Sequence, residues 1–129
     1  MIELAVVGLN VKRYSLDDAA VSVVSASGVV DMSTVDELAA QLEAALDAAQ
    51  SGSVVLAIDL EGVTYFGSAG LNAVLLCHEQ GAGRGIEVRV VATNPWVVRP
   101  IEVTGLDAVL RLYPTLSAAL RSEDSGPRS

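Results

Sequence analysis

The chain has 129 residues and a formal net charge of −8, and 51% of its residues are hydrophobic although only 4% are aromatic. This length suits a single domain with a core of Val, Leu, Ala and Ile, and no apolar run reaches the roughly 20 residues that cross a bilayer. The acidic charge disfavours nucleic-acid binding, which needs clustered Lys and Arg, and suits contact with a basic surface on another protein.

The first half of the chain is predicted to form a hairpin and a helix. Strands over Val11–Leu16 and Ala20–Ser25 flank a turn-forming segment. A helix is predicted from Thr34 to about Gln50, because apolar residues recur there at helical spacing. Thr34 and Glu37 match the pattern of a capping box at its start.

A buried strand and a second helix follow, with a small hydroxyl residue between them. Val54–Leu60 is an apolar run typical of a core strand, and a short polar connection leads to a helix over Ser68–Gln80. Ser68 therefore lies at a helix start, where N–H groups and partial positive charge favour a phosphate. Two interpretations stay open: Ser68 is a switch, or it is only the helix N-cap.

The last third of the chain continues the alternation of strands and helices. A strand is predicted over Ile86–Ala92, and Asn94-Pro95 is a helix-start signal. Pro100 inside that helix predicts a kink or two short turns. A short strand over Val109–Leu112 and a last helix over Thr115–Arg121 complete the pattern.

This alternation predicts an α/β fold in one domain. We expect a mixed sheet of roughly four to five strands with about four helices packed on it and right-handed crossovers. The domain is expected to span residues 1–121, with 1–8 as an extra strand or arm. Residues 122–129 are expected to form a flexible tail.

Most catalytic and metal sites lack essential parts. Ser68 and His78 on one helix are roughly 15 Å apart along its axis, too far for a nucleophile and its base. Cys77 beside His78 makes a poor metal site, since neighbouring helical side chains point in different directions. No phosphate-loop pattern is present, and a receiver domain would need a lysine late in the chain, whereas the only one is Lys12. We therefore expect no enzyme activity, no cofactor and no metal.

One cysteine cannot form a disulfide within the chain, and the N-terminus lacks a signal-peptide pattern. A cytoplasmic protein is expected.

Three motifs in order resemble the STAS domains, in particular the bacterial anti-sigma factor antagonists. The first is Gly28-Val29-Val30-Asp31, before the first helix. The second is Gly67-Ser68-Ala69-Gly70-Leu71, and the third is Thr104-Gly105-Leu106-Asp107. The resemblance covers the chain from about Val11 to Leu120 and implies a STAS fold.

The resemblance also implies a partner switch. In that family an unphosphorylated antagonist binds an anti-sigma factor, which is also an ATP-dependent serine kinase, and so releases a sigma factor. Phosphorylation ejects the antagonist and a phosphatase resets it. The phosphorylated residue corresponds to Ser68, and the implied partner-binding residues are Asp31, Gly67, Ser68, Ala69, Gly70, Leu71 and Asn72.

The chain departs from the family motif at two positions. Gly67 replaces an aspartate, and Ala69 replaces a second hydroxyl residue that many relatives have. Gly70 is expected to let another backbone approach the serine. Gly67 favours an alternative, a STAS interaction subunit of a lipid or anion transport assembly without phosphorylation. A small-molecule or nucleotide sensor is a third possibility, and the oligomeric state is open.

Overall fold

The computed structural model describes residues 8–16, 21–49 and 55–121. The predicted hairpin turn, the predicted end of the first helix, the predicted C-terminal tail and all of the predicted arm except Gly8 lie outside these residues. No helix of the described part is long and apolar enough to cross a membrane.

Within the described residues, one mixed sheet carries the fold. Its strands lie in chain order, and β1 pairs antiparallel with β2 while the other neighbours are parallel. The strands are β1 (Leu9–Leu16), β2 (Val21–Val30), β3 (Val55–Phe66), β4 (Glu87–Val91) and β5 (Arg111–Tyr113). The helices are α1 (Val35–Ala49), α2 (Ser68–Gly83), α3 (Pro95–Val103) and α4 (Leu116–Arg121), with a short 3-10 helix at Leu106–Ala108. The predicted mixed α/β sheet is confirmed.

The main core lies between the sheet and the helices α1, α2 and α3. Alternate strand residues share this face because side chains along a strand point to opposite sides. The buried cluster includes Val24, Ile58 and Val90 from the strands, with Leu42 and Val74 from the helices.

The opposite face of the sheet holds α4 through a buried arginine. Arg89 is 4% exposed, and its guanidinium donates to the carbonyl oxygen of Ala119 in α4. It also pairs with Glu87 at 3.1 Å, so the charge is compensated. Burial of this arginine is tolerated because its Nε donates to Glu87 and its Nη1 to Ala119.

β3 is longer than the sequence pattern predicts. The expected polar connection after Leu60 is instead the second half of the strand, which continues to Phe66. Its pairing with β2 shifts register between Ser25 and Ser27, and a bulge of this kind breaks the regular alternation of apolar residues. Gly62 allows the close pairing, since a Cβ there would lie 2.7 Å from that of Ser27.

The start of α1 differs from the predicted capping box. The Thr34 hydroxyl accepts a hydrogen bond from the Asp31 N–H at 3.0 Å and donates one to the Val29 carbonyl at 2.8 Å. The Glu37 N–H bonds to the carbonyl oxygen of Thr34 at 3.0 Å. Thr34 therefore fastens the end of β2 to the beginning of the helix.

The predicted start of α3 is confirmed. The Asn94 side chain caps it by accepting from the Val97 N–H at 3.0 Å. Of the two outcomes expected at Pro100, a kink or two short turns, the second is not met, because one helix runs from Pro95 to Val103 with Pro100 inside it. Trp96, whose carbonyl loses its helical donor at Pro100, lies on the exposed side of α3.

Candidate functional site

Ser68 is the first residue of α2 and is exposed to solvent. The N-cap is Gly67, in an extended conformation with φ −87° and ψ −177° and without a side-chain cap bond. The Gly67 carbonyl accepts from the N–H groups of Gly70 and Leu71 at 3.0 and 3.1 Å. The interpretation of Ser68 as the N-cap is therefore wrong, and its side chain is not needed to cap the helix.

The ends of β2 and β3 bring Asp31 to the same place as Ser68. Parallel neighbours finish at one edge of a sheet, and the Gly67 N–H donates to the Val30 carbonyl at 2.9 Å, which joins the two strand ends. A pocket of about 360 Å³ opens there. Its lining residues are Asp31, Met32, Ser33, Tyr65, Gly67, Ser68 and Ala69.

Asp31 is held as a carboxylate by its neighbours. Its Oδ1 accepts from the Ser33 hydroxyl at 2.7 Å and from the Ser33 N–H at 2.9 Å. These hydrogen bonds, the one from the hydroxyl above all, lower the pKa of Asp31 below its ordinary value of 3.8. The pocket therefore carries a fixed negative charge at neutral pH.

Gly70 and Leu71 face the interior rather than the pocket. A Cβ on Gly70 would lie 2.6 Å from Cγ1 of Val30 and 2.8 Å from the Phe66 ring. Gly70 therefore allows α2 to sit directly on the ends of β2 and β3, which differs from the expectation that it opens space for another backbone. Leu71 is 8% exposed and belongs to the core.

Only some of the predicted partner-binding residues thus lie at the pocket. Four of them line the pocket: Asp31, Gly67, Ser68 and Ala69. Asn72 is exposed on the next turn of α2.

The sequence motifs do not point to three of the pocket residues, which are Met32, Ser33 and Tyr65. Met32 and Tyr65 are among the exposed large hydrophobic residues, at 85% and 51%. An exposed apolar residue beside a candidate site is a usable signal, but Tyr65 fell in the segment predicted as a connection. Only the continuation of β3 brings it to the pocket.

Cys77 and His78 are separate from this site. Cys77 is 3% exposed, and burial raises the pKa of its thiol from 9.0 to about 12, so the thiol stays protonated. Nδ1 of His78 is buried without a hydrogen-bond partner in the described part of the chain. No group of three or more His, Cys, Asp or Glu residues in the described ranges could hold a metal ion.

Comparison with known proteins agrees with this architecture. Residues 15–114 match the family model described as "Mlab, STAS domain". The anti-sigma-F factor antagonist RsfB of Mycobacterium tuberculosis is 35% identical over 111 residues, which are 85% of this chain and 87% of that protein.

Solved structures show the same fold. An anti-sigma factor antagonist from Mycobacterium paratuberculosis has a TM-score of 0.80 and 36% identity, covering 89% of this chain and 93% of that one. Bacillus SpoIIAA in its phosphorylated form has a TM-score of 0.65 over 86% and 96% of the two chains, and its 15% identity shows the fold alone. The chain belongs to the STAS domain family, among the proteins named as anti-sigma factor antagonists.

Proposed function

We propose that this chain is a cytoplasmic, non-enzymatic anti-sigma factor antagonist controlled by phosphorylation of Ser68. In the unmodified form it binds an anti-sigma factor and so frees a sigma factor for transcription. The anti-sigma factor is also an ATP-dependent serine kinase, which phosphorylates Ser68 and is then released, and a phosphatase resets the cycle. The names of the relatives support the antagonist role. The observation that carries the proposal is an exposed serine, with no capping duty, beside a fixed carboxylate.

The position of Ser68 suits a phosphate acceptor. Its side chain is exposed at the first residue of α2, so a kinase can reach the hydroxyl without opening the fold. A helix N-terminus also favours negative charge. The start of α2 can therefore accommodate phosphoserine at residue 68 as well as the unmodified serine.

The same position suits release of a bound partner. A phosphate adds about −1.5 to −2 charge to a pocket that already holds the carboxylate of Asp31. A partner packed on this pocket would have to desolvate both charges or withdraw. Because uncompensated charge is costly at an interface, the unmodified hydroxyl favours the complex and the phosphate opposes it.

A matched pair of serine variants tests the proposal. The tagged chain is recovered from its own cells, co-purifying proteins are identified by mass spectrometry, and an anti-sigma factor found there is purified and incubated with the chain and ATP. Ser33→Ala is the control, because Ser33 is the other serine that lines the pocket.

We expect Ser68 to be phosphorylated in the wild-type chain and in Ser33→Ala. Ser68→Ala should take up no phosphate. Unmodified wild-type chain and Ser68→Ala should form the complex, whereas phosphorylated chain should not. If the wild-type chain forms no complex with the anti-sigma factor and takes up no phosphate at Ser68, the proposed switch is wrong.

The absence of a carboxylate at Gly67 favours a second candidate, a STAS subunit of a lipid or anion transport assembly. This candidate predicts permease and ATPase subunits among the co-purifying proteins, with Ser68 unmodified. The same mass-spectrometric experiment distinguishes the two functions.

A further inference from the structure

The ring of Tyr65 occupies the space beside Gly67. A Cβ placed on Gly67 would lie 3.2 Å from Cε2 of Tyr65 and 3.4 Å from its hydroxyl oxygen. The first distance is tighter than most Cβ contacts and the second is at the edge of ordinary van der Waals contact, so a side chain at residue 67 would crowd the ring and require it to shift by a few tenths of an ångström. The lack of a side chain at Gly67 is thus matched by an aromatic ring from the preceding strand.

Tyr65 and Met32 form an exposed apolar rim on the Ser68 pocket. Both line that pocket, and their exposed fractions are 51% and 85%. Exposed aromatic and methionine side chains that gather at one concave site are typical of protein contact surfaces. The rim is uncharged, whereas the carboxylate of Asp31 lies on the same pocket and is bonded to Ser33.

We propose that Tyr65, together with Met32, determines which partner the Ser68 site accepts. The partner that fits is an anti-sigma factor that places an apolar side chain on the Tyr65 ring and Met32, above the serine. This inference rests on the proposed function, since it assigns a contact chemistry to the same docking surface. Glycine at residue 67 suits this ring position, because a Cβ there would crowd the ring at 3.2 Å.

Alanine and phenylalanine variants test the contact. The anti-sigma factor that binds wild-type chain is titrated with Tyr65→Ala, Met32→Ala and Tyr65→Phe by isothermal calorimetry. Tyr14→Ala is the control, since Tyr14 is also a partly exposed tyrosine but pairs with Val23, seven residues along β2 from Val30 at the pocket edge.

We expect Tyr65→Ala to weaken binding roughly 30-fold, as for a central contact residue, and Met32→Ala to weaken it about 10-fold. Tyr65→Phe should stay within about 3-fold of wild type, because the ring rather than the hydroxyl makes the contact. Tyr14→Ala should bind like wild type. Equal affinities of Tyr65→Ala and wild type, or an equal loss for Tyr65→Phe and Tyr65→Ala, would overturn the inference.

A double-mutant cycle tests the competition for space. Gly67→Asp is made with Tyr65 present and with Tyr65→Ala, and the change in the free energy of unfolding is measured in both backgrounds. We expect Gly67→Asp to change the free energy of unfolding more favourably with Tyr65→Ala, because the ring no longer crowds the new side chain, whereas any gain from an aspartate at the N-cap is common to both backgrounds. Equal changes in the two backgrounds contradict the assigned packing.

Two further outcomes separate this inference from the proposed function. If wild-type chain binds no anti-sigma factor, the proposed function itself fails. If wild type binds and Tyr65→Ala binds equally well, only the contact assignment fails. In the absence of an anti-sigma factor, the oligomeric state measured by sedimentation should be the same for wild type and Tyr65→Ala. A lower oligomeric state for Tyr65→Ala would assign this face to a second copy of the chain instead.

Discussion

Replacing Gly70 with alanine tests how α2 is seated on the sheet. The new Cβ would lie 2.6 Å from Cγ1 of Val30 and 2.8 Å from the ring of Phe66. Both neighbours are buried, so neither can move freely. Overpacking of this kind costs about 1–3 kcal/mol, whereas alanine gains up to about 1 kcal/mol over glycine in helix propensity.

Gly83→Ala is the matched control, because a Cβ at that residue of the same helix has no neighbour within 4 Å beyond the adjoining turn of its own helix. It should gain helix propensity without a packing cost. The difference between the two variants therefore isolates the steric term, which we expect to be about 1–3 kcal/mol in favour of Gly83→Ala.

Urea denaturation followed by circular dichroism gives both free energies of unfolding. Gly70→Ala should be less stable than wild type by up to about 2 kcal/mol, with Gly83→Ala equal to wild type or slightly more stable. If the two variants are equally stable, the close approach of α2 to Val30 and Phe66 is wrong. The placement of Ser68 at the pocket is then wrong as well, because the same contact positions the start of α2.

Three further predictions concern the cap of α3, the buried thiol and the carboxylate of the pocket. Asn94→Ala should lower the free energy of unfolding by about 1 kcal/mol in a denaturant titration, because its side chain accepts from the Val97 N–H at 3.0 Å; unchanged stability would contradict the cap. Since burial raises the pKa of Cys77 from 9.0 to about 12, the stability of the neutral thiol is present below 9.0 and declines as pH rises toward about 12. Mass spectrometry should show that Cys77 is alkylated more slowly in the native chain than in the unfolded chain. Equal alkylation rates in the two states would contradict the burial of the thiol. Ser33→Ala should raise the pKa of Asp31 toward 3.8 in a carboxyl NMR titration, and the stability from this carboxylate is lost as pH falls through its lowered pKa; an unchanged pKa would be evidence against the Ser33 bonds.

Local signals in the sequence are sufficient to predict most of the helices. Asn94 and Pro95 act within one turn of the chain, so the start of α3 could be predicted from residue types alone. The end of β3 could not, because it depends on pairing with β2 across a bulge rather than on its own alternation. The predicted capping box failed for a similar reason, since Thr34 bonds to Val29 at the end of a strand.

The candidate site could be predicted in part. The resemblance pointed to Ser68 and Asp31, and the structure places both at one pocket. Tyr65 and Met32 could not be assigned to it, because their proximity follows from the length of β3 and the turn after β2. Gly70 was assigned to the site by its place in the motif, but whether a glycine opens a surface or seats a helix depends on what its missing side chain would contact.

If Ser68 is phosphorylated as proposed, the position of the phosphate at the start of α2 indicates where the switch would act. At the first residue of a helix, negative charge is favourable by about 0.3–1 kcal/mol, while the carboxylate of Asp31 at the same pocket opposes it through solvent. These two effects on the chain itself are small and opposite in sign. Phosphorylation at Ser68 is therefore not expected to unfold α2. Its effect must fall on the docked partner, where solvent is excluded and neither charge is screened. Such a switch would change the contact surface and leave the fold intact, as the proposed cycle of binding, release and dephosphorylation requires.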